Sequence, residues 1–352
     1  MIAGRIQGDL NLGCDTVKRN TILKNAIVVC LMMTTALAGC LGDSDDHDHD
    51  HDDDDHVIRL AFTVKDDYEN PDTNPQFMAD YITAHSGYDV EIYPISSSNA
   101  AIEAVRFGHA DAAFLDGGAA FVAWQSHGLE AILADTKSDG STYYTASAWV
   151  RNSSNITSLE QLEGNSSCHT GWLKSAGMLM PMGYMIGRGL VEVSGDEEDI
   201  DSLRTTIENH FGNASIPGSG DVYYGYGGAF RCMTEGFGDV AFAKTTSYGD
   251  HCEGNDWCLD RSEYRMLEPA FGRVPSHSVM VNADAYGDSK TESITMAFLA
   301  LNLDSEGKSI LESVMGTPGI SEVDTSSHLG SYSAAIGSIP GIAAYFEDKY
   351  GN

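Results

Sequence analysis

From Val57 onward, short apolar runs alternate with stretches of helical spacing. Ile58 to Val64 and Val90 to Ile95 have the length and apolar content of strands, and Asn74 to Thr83 between them has helical spacing. Ser98 to His109 predicts a helix with Ile102, Val105 and Phe107 as its apolar positions and Ser98 or Asn99 as its cap. Ala112 to Leu115 reads as a buried strand, Ala119 to His127 as a helix and Ala131 to Ala134 as a further strand. Strands that alternate with helices imply a mainly parallel sheet covered on both faces. Sheets of that kind bind ligands beyond the carboxyl ends of their strands. Asp116 stands at such an end, in Phe114-Leu115-Asp116-Gly117-Gly118.

Tyr143 to Val150 predicts a long strand, and Ser158 to Leu162 a short helix. A second series follows: a strand near Ser167, helices over Ser175 to Leu190 and Ser202 to His210, and a strand over Val240 to Ala243. Val274 to Val281 predicts another long strand. Helices over Thr291 to Leu303, Glu306 to Val314 and Ser331 to Phe346 close the chain. Two long strands around a self-contained α/β series predict two lobes joined by a double crossing. Lobe I is expected over residues 57–142 and 276–352, and lobe II over residues 143–275.

The first residues carry an export pattern. Lys18, Arg19 and Lys24 precede an apolar run from Ala26 to Met33, which leads to Leu37-Ala38-Gly39-Cys40. A basic region, an apolar region and small residues before a cut site make a signal peptide, here residues 1–39. The final tetrapeptide resembles a lipobox, which makes Cys40 the expected lipidated residue and anchors the chain to the outer face of the membrane. The alternative, an uncleaved anchor helix, needs a longer apolar run. Residues 40–56 then form a tether: Asp43 to His56 holds no apolar residue and cannot pack. Its four histidines among carboxylates could also chelate divalent metals weakly.

The formal net charge is -32, of which Asp43 to Asp55 contribute nine. That balance argues against nucleic acid as a partner, because phosphate backbones need a basic surface. Removal of the leader leaves roughly 300 residues, enough for one large domain or two of medium size. Outside the leader four cysteines remain: Cys168, Cys232, Cys252 and Cys258. An even number in an oxidising compartment suggests two disulfides. Three pairings exist, and sequence spacing alone favours Cys252 with Cys258, leaving Cys168 with Cys232. A zinc site is disfavoured by the lack of a CxxC pair.

Six segments then carry a resemblance. Residues 168–177 (Cys-His-Thr-Gly-Trp-Leu-Lys-Ser-Ala-Gly) are similar to the anion-binding segment of transferrin lobes. Residues 223–232 (Tyr-Tyr-Gly-Tyr-Gly-Gly-Ala-Phe-Arg-Cys) resemble the second tyrosine segment of those lobes, and residues 238–244 the stretch that follows it. Residues 274–277 (Val-Pro-Ser-His) resemble the histidine segment, residues 110–118 the aspartate segment, and Tyr143-Tyr144 the first tyrosine segment. Their order along the chain is that of the family. The layout as a whole also resembles phosphonate-type periplasmic binding proteins, the solute receptors of import systems. The resemblance implies an α/β, two-lobed clamshell of the type II periplasmic-binding-protein class, with two mixed sheets and a double-strand hinge. It also implies a monomer that serves the membrane permease of an ABC-type importer.

By this resemblance Asp116, Tyr143, Tyr226 and His277 are the ligands of a ferric ion, Fe(3+). The residue types suit that ion: it is hard and triply charged, and one carboxylate with two phenolates supplies three negative oxygens. Four protein ligands leave two octahedral positions for a bidentate anion, carbonate in the family. Thr170, Lys174, Ala176 and Gly177 are the implied anion-binding residues, at the start of a helix whose free N–H groups and dipole favour negative charge. Lys174 stands where the family usually has arginine; a lysine is a point charge without the planar fork. The resemblance also pairs Cys168 with Cys232. A metal-free site for a phosphonate, phosphate or similar oxyanion is the competing expectation, and Asp116 argues against it, because a carboxylate facing a dianion is repelled. No Ser-His-Asp arrangement, P-loop or GxGxxG after a strand points to an enzyme.

Overall fold

The computed structural model describes residues 56–63 and 74–350. The leader, Cys40 and the Asp/His tether up to Asp55 lie outside the described residues, as does Val64 at the end of the first expected strand. In chain order the first series is β1 (Val57–Thr63), α1 (Pro75–Ser86), β2 (Asp89–Ile95), α2 (Ser98–Arg106), β3 (Ala112–Leu115), α3 (Gly117–His127) and β4 (Glu130–Asp135). The second begins with β5 (Tyr143–Arg151), β6 (Ser166–Cys168), α4 (Met180–Gly187), α5 (Asp201–His210) and β7 (Asn213–Ser215). It continues through α6 (Gly225–Thr234), β8 (Val240–Lys244), β9 (Tyr264–Leu267) and β10 (Arg273–Pro275). The chain then returns through β11 (Ser278–Val281), α7 (Ala283–Leu299), α8 (Ser305–Ile310), β12 (Ile320–Glu322), α9 (Thr325–Ile336) and α10 (Ile342–Tyr350).

These strands form two mixed sheets flanked by helices, the two-lobed α/β architecture expected from the sequence. The first runs β12-β4-β11-β3-β1-β2; β1 pairs in parallel with β2 and β3, while β11 and β12 run antiparallel to their neighbours. The second runs β10-β5-β8-β6-β7, with β9 on the same edge of β5 as β10. Local chemistry sets the starts of the helices. Asn74 caps α1 through a hydrogen bond from the Gln76 amide, with Pro75 at the first turn, where its missing N–H costs nothing. Ser97, not Ser98 or Asn99, caps α2 by accepting from the Ala100 amide.

Two expected elements are broken, and both breaks matter. The strand expected over Val274 to Val281 is two strands in different sheets, β10 and β11, with Ser276 and His277 between them. The helix expected over Ser331 to Phe346 is α9 and α10, parted around Pro340, which cannot donate to a continuing helix. The sequence pattern gave no sign of α6, which carries Tyr226: its first turn is Gly225-Tyr226-Gly227-Gly228, a poor helix former.

The chain crosses between the sheets twice, at 136–142 and at Ser276-His277, and the crossings are bonded to each other. Ser276 N–H donates to the Thr142 carbonyl at 3.0 Å, and Asp135 N–H to the His277 carbonyl at 2.9 Å. The buried Ser276 hydroxyl lies 2.6 Å from the Asp135 carbonyl and 2.7 Å from that of Thr142, so one O–H serves both crossing strands.

A hydrophobic core runs from the first sheet into the second through α3, α4, α9 and α10, and includes Val122, Met180, Met182, Phe271, Tyr332 and Phe346. Burial of each such large side chain stabilises the fold by about 1.5–3 kcal/mol. Close approach of α4 to α9 depends on Gly183, whose added Cβ would collide with the Ala335 carbonyl. Disulfides join Cys168 to Cys232 and Cys252 to Cys258, with Cα atoms 6.1 and 5.3 Å apart. Among the described residues no helix is long and apolar enough to cross a membrane.

Candidate functional site

Between the sheets lies a cavity of about 240 Å³. Its polar lining includes Asp116, Lys137, Tyr144, Lys174, Ser175, His277, Tyr332, Lys349 and Tyr350. They come from separate parts of the chain: the end of β3, the 136–142 crossing, the start of β5, the approach to α4, the β10–β11 crossing and the C-terminal helices.

Asp116 is exposed at the N-cap of α3, where its Oδ1 accepts from the amides of Gly118 and Ala119 at 2.9 and 3.0 Å. The amides hold Oδ1, while the carboxylate as a whole faces the cavity.

The structure separates the two adjacent tyrosines. Successive residues of a strand point to opposite faces. Tyr144 lines the cavity, and its phenol neighbours that of Tyr226 of α6. Tyr143, the expected ligand, lies outside this cavity with the Arg273 guanidinium 4.0 Å from its ring centroid. Asp116, Tyr144 and His277 are therefore the group brought together, with Tyr226 behind Tyr144; Tyr143 is not among them. Burial raises the pKa of Tyr144 well above that of a free phenol, with the neighbouring Tyr226 and the charge of Asp116 adding to the effect. Tyr226 is raised by burial as well, against the opposing effect of Tyr144. Lys244 at the end of β8 places its ammonium 4.5 Å from the Tyr144 ring centroid and 4.6 Å from that of Tyr226. Burial and the charge of Lys137 hold the pKa of Lys244 below the usual lysine value.

His277 is exposed to the cleft, and its Nδ1 lies 3.3 Å from Asp135 Oδ2. Lys137 Nζ donates to the same oxygen at 3.3 Å. Burial would raise the pKa of Asp135, but the hydrogen bond from His277, the neighbouring Ser276 hydroxyl and the Lys137 charge outweigh it, and the carboxyl is held below its usual value. An ionised Asp135 accepts from Nδ1–H and leaves Nε2 as the lone-pair nitrogen. This is how an outer carboxylate orients a ligating histidine.

The segment at 168–177 is anchored from beneath. His169 is fully buried, with Nδ1 2.9 Å from the Gly177 carbonyl and Nε2 3.0 Å from the Ser167 hydroxyl. A carbonyl only accepts, so Nδ1 carries the proton, the ring is neutral and Ser167 donates to Nε2. Burial pushes the His169 pKa down to about 4. Thr170 packs against Gly177 so closely that a Cβ there would overlap the hydroxyl. The Thr170 carbonyl accepts from the Gly225 amide at 2.9 Å, which locks this segment to α6. Leu173 takes a left-handed conformation at φ 56, a strained position for a non-glycine residue, immediately before Lys174. Ser175–Leu179 is a π-helical turn ahead of α4, with no side-chain cap. Lys174 and Ser175 reach the cavity; Thr170, Ala176 and Gly177 are buried and do not line it. Thr170 Oγ1 is buried without a partner among the described residues.

Sequence reasoning missed Tyr144, Asp135, Tyr332, Lys349 and Tyr350. Asp135 carried one available signal: it ends β4 as Asp116 ends β3, at the carboxyl edge of the same sheet. The two tyrosines of the C-terminal helices carried none in the local pattern.

Among the described residues no group of three or more His, Cys, Asp or Glu side chains could hold a metal. A cation here would rest on Asp116, His277 and phenol oxygens. The chain is 32% identical to human (Homo sapiens) melanotransferrin over 241 residues, covering 54% of this chain and 31% of that protein. It is 34% identical to ovotransferrin of Gallus gallus over 227 residues, with 55% and 31% covered, and 32% identical to serotransferrin of Gadus morhua over 212 residues, with 52% and 32% covered. The chain thus spans about a third of the length of the curated relatives it matches. The family model for ABC transporter, phosphonate, periplasmic substrate-binding protein matches residues 68–328. Proteins of this kind recognise and hand over a solute outside the cytoplasm and are not enzymes. With most of its length matched, and with a ligand-sized cleft between two mixed sheets, the chain belongs to the phosphonate-type periplasmic substrate-binding proteins of ABC transporters.

Proposed function

We propose that this substrate-binding protein captures a ferric ion together with a small anion and presents it to an ABC permease, from a lipid anchor at Cys40. The observation that carries the reading is the meeting of Asp116, Tyr144 and His277 on one cavity, with Tyr226 beside Tyr144 under the same Lys244 ammonium. A carboxylate and two phenolates match the charge of a hard trivalent cation, and His277 completes a four-ligand set. Tyr144 takes the place in this set that the resemblance implied for Tyr143. Ferric ion is the cargo, and carbonate the simplest anion for the remaining positions. Lys174 supplies the positive charge beside it, with the Ser175 hydroxyl as a further donor on the cavity, while Thr170, Ala176 and Gly177 pack behind them and shape the segment. The likeness to transferrins supports the same reading. Lobe closure about the two crossings would bring Asp116 and the α4 segment onto one ligand.

A second reading has its own support. The family match is to phosphonate-binding proteins, and Lys174 and Lys349 both reach the cavity. A metal-free phosphonate or phosphate would use these lysines with Ser175 and the phenols as donors.

One titration separates the two. Purified protein is mixed with ferric nitrilotriacetate and bicarbonate, and separately with methylphosphonate and inorganic phosphate without metal. Phenolate-to-iron charge transfer turns the sample orange-red under the first reading. Heat of binding from the metal-free oxyanions, with no colour on adding iron, replaces the first reading by the second.

A further inference from the structure

The C-terminal helices each bring a phenol to the cleft, one to each half of the ligand site. Tyr332 of α9 lies with its hydroxyl 3.2 Å from the Ser175 hydroxyl, beside Lys174. Tyr350, at the end of α10, turns its ring onto the first turn of α3. Gly118 makes room for it: a Cβ there would lie 3.1 Å from Tyr350 Cε2 and 3.3 Å from its hydroxyl oxygen. The same point is 3.4 Å from Asp116 Oδ1, so phenol and carboxylate flank one position where a side chain would crowd both. Tyr350 is buried, at 7% exposure.

We infer that Tyr350 is a positioning residue for the ligand site: its hydroxyl donates to the Asp116 carboxylate and fixes the orientation in which Asp116 faces the bound solute. Two backbone amides already hold Oδ1 from the α3 side. A third donor from α10 restricts the remaining swing of the carboxylate about the Cα–Cβ–Cγ bonds, and a preset ligand loses less freedom on binding. The last turn of the final helix is thereby part of the site, although it lies more than 200 residues from Asp116 in sequence.

The inference rests on the reading that Asp116 faces the solute, and the test separates the two. In ligand-free protein, proton NMR should show one exchange-protected hydroxyl signal that Tyr350→Phe removes and Asp116→Asn displaces. With ferric nitrilotriacetate and bicarbonate, Tyr350→Phe should weaken binding about 10-fold, the order expected for losing a hydrogen bond to a charged group. The charge-transfer maximum should stay in place, because it reports Tyr144 and Tyr226. Phenylalanine keeps the ring against Gly118, so a packing role alone would leave binding unchanged; wild-type affinity in Tyr350→Phe overturns the inference. A hydroxyl signal that Asp116→Asn leaves unmoved overturns it too. If the wild type develops no ferric band, the functional reading falls, and the hydroxyl signal by itself decides whether Tyr350 holds Asp116.

Discussion

Tyr144 and Tyr226 share one cation: the Lys244 ammonium lies 4.5 and 4.6 Å from their ring centroids. Under the ferric reading both phenols give up their protons to the metal, and the two residues can be tested separately. Tyr144→Phe and Tyr226→Phe should each remove a large part of the charge-transfer absorbance. Each should also weaken ferric binding by more than the roughly 10–100-fold typical of losing an outer partner of a metal ligand. Tyr143→Phe should bind as the wild type does, since its ring packs under Arg273. A Tyr143→Phe protein that loses the band while Tyr144→Phe keeps it would reverse the assignment.

Under the ferric reading, Asp135 acts on the site through His277, whose Nδ1 it holds at 3.3 Å. Replacing it with asparagine leaves a group that can still accept at Nδ1 but carries no charge, and its amide can flip to face Nδ1 with a donor. Ferric affinity of Asp135→Asn should fall about 10–100-fold, as for other carboxylates behind ligating histidines. Competition against a chelator of known strength reads the change. If His277→Ala weakens binding and Asp135→Asn does not, the carboxylate serves the hinge and not the ligand.

The fold class was legible because strand and helix periods alternate cleanly through Val57 to Ala134, and the site was half legible. Asp116, Tyr226 and His277 sit in motifs whose residue types announce the chemistry. The choice between Tyr143 and Tyr144 was not readable, because Ala146 to Val150 are buried on both faces and give no alternation that would phase the strand. Nor was the break at Ser276-His277, since residues 274–281 are almost all buried and only their partners in different sheets separate β10 from β11. Tyr332 and Tyr350 reach the cleft by tertiary packing alone. Their helices look like ordinary amphipathic ends until α9 is seen against α4 and α10 against α3.

Lys174 tests the anion half of the site. It carries one charge and no fork, so an anion should leave this site at higher pH than it would leave an otherwise equal site with arginine. Protonation of the anion and competition of protons for the phenolates both work in the same direction, so affinity falls on acidification. Lys174→Arg should shift the midpoint of an acid titration of the charge-transfer band downward. Lys174→Ala should shift it upward and weaken binding by roughly 1–3 kcal/mol. Three coincident titration curves would show that Lys174 does not touch the anion.

His169 ties the stability of the anion segment to pH. Its pKa is about 4 in the folded protein because the ring is fully buried, against about 6.5 in the unfolded chain. Between those values the unfolded chain binds a proton that the folded protein does not, so stability rises with pH across that window. The contribution is fully present above about pH 6.5 and is lost as pH falls toward 4, a change of roughly 3 kcal/mol. His328, His210 and His251 are also lowered by burial, so the whole protein should show a steeper dependence than one group gives. The comparison that isolates His169 is His169→Gln, whose amide can still donate to the Gly177 carbonyl but does not titrate. Urea unfolding should find the wild type ahead of His169→Gln at pH 7, with that lead shrinking by roughly 3 kcal/mol by pH 4. A lead that stays constant with pH would mean that His169 is not buried as a neutral ring, and the anchor beneath Gly177 would need another explanation.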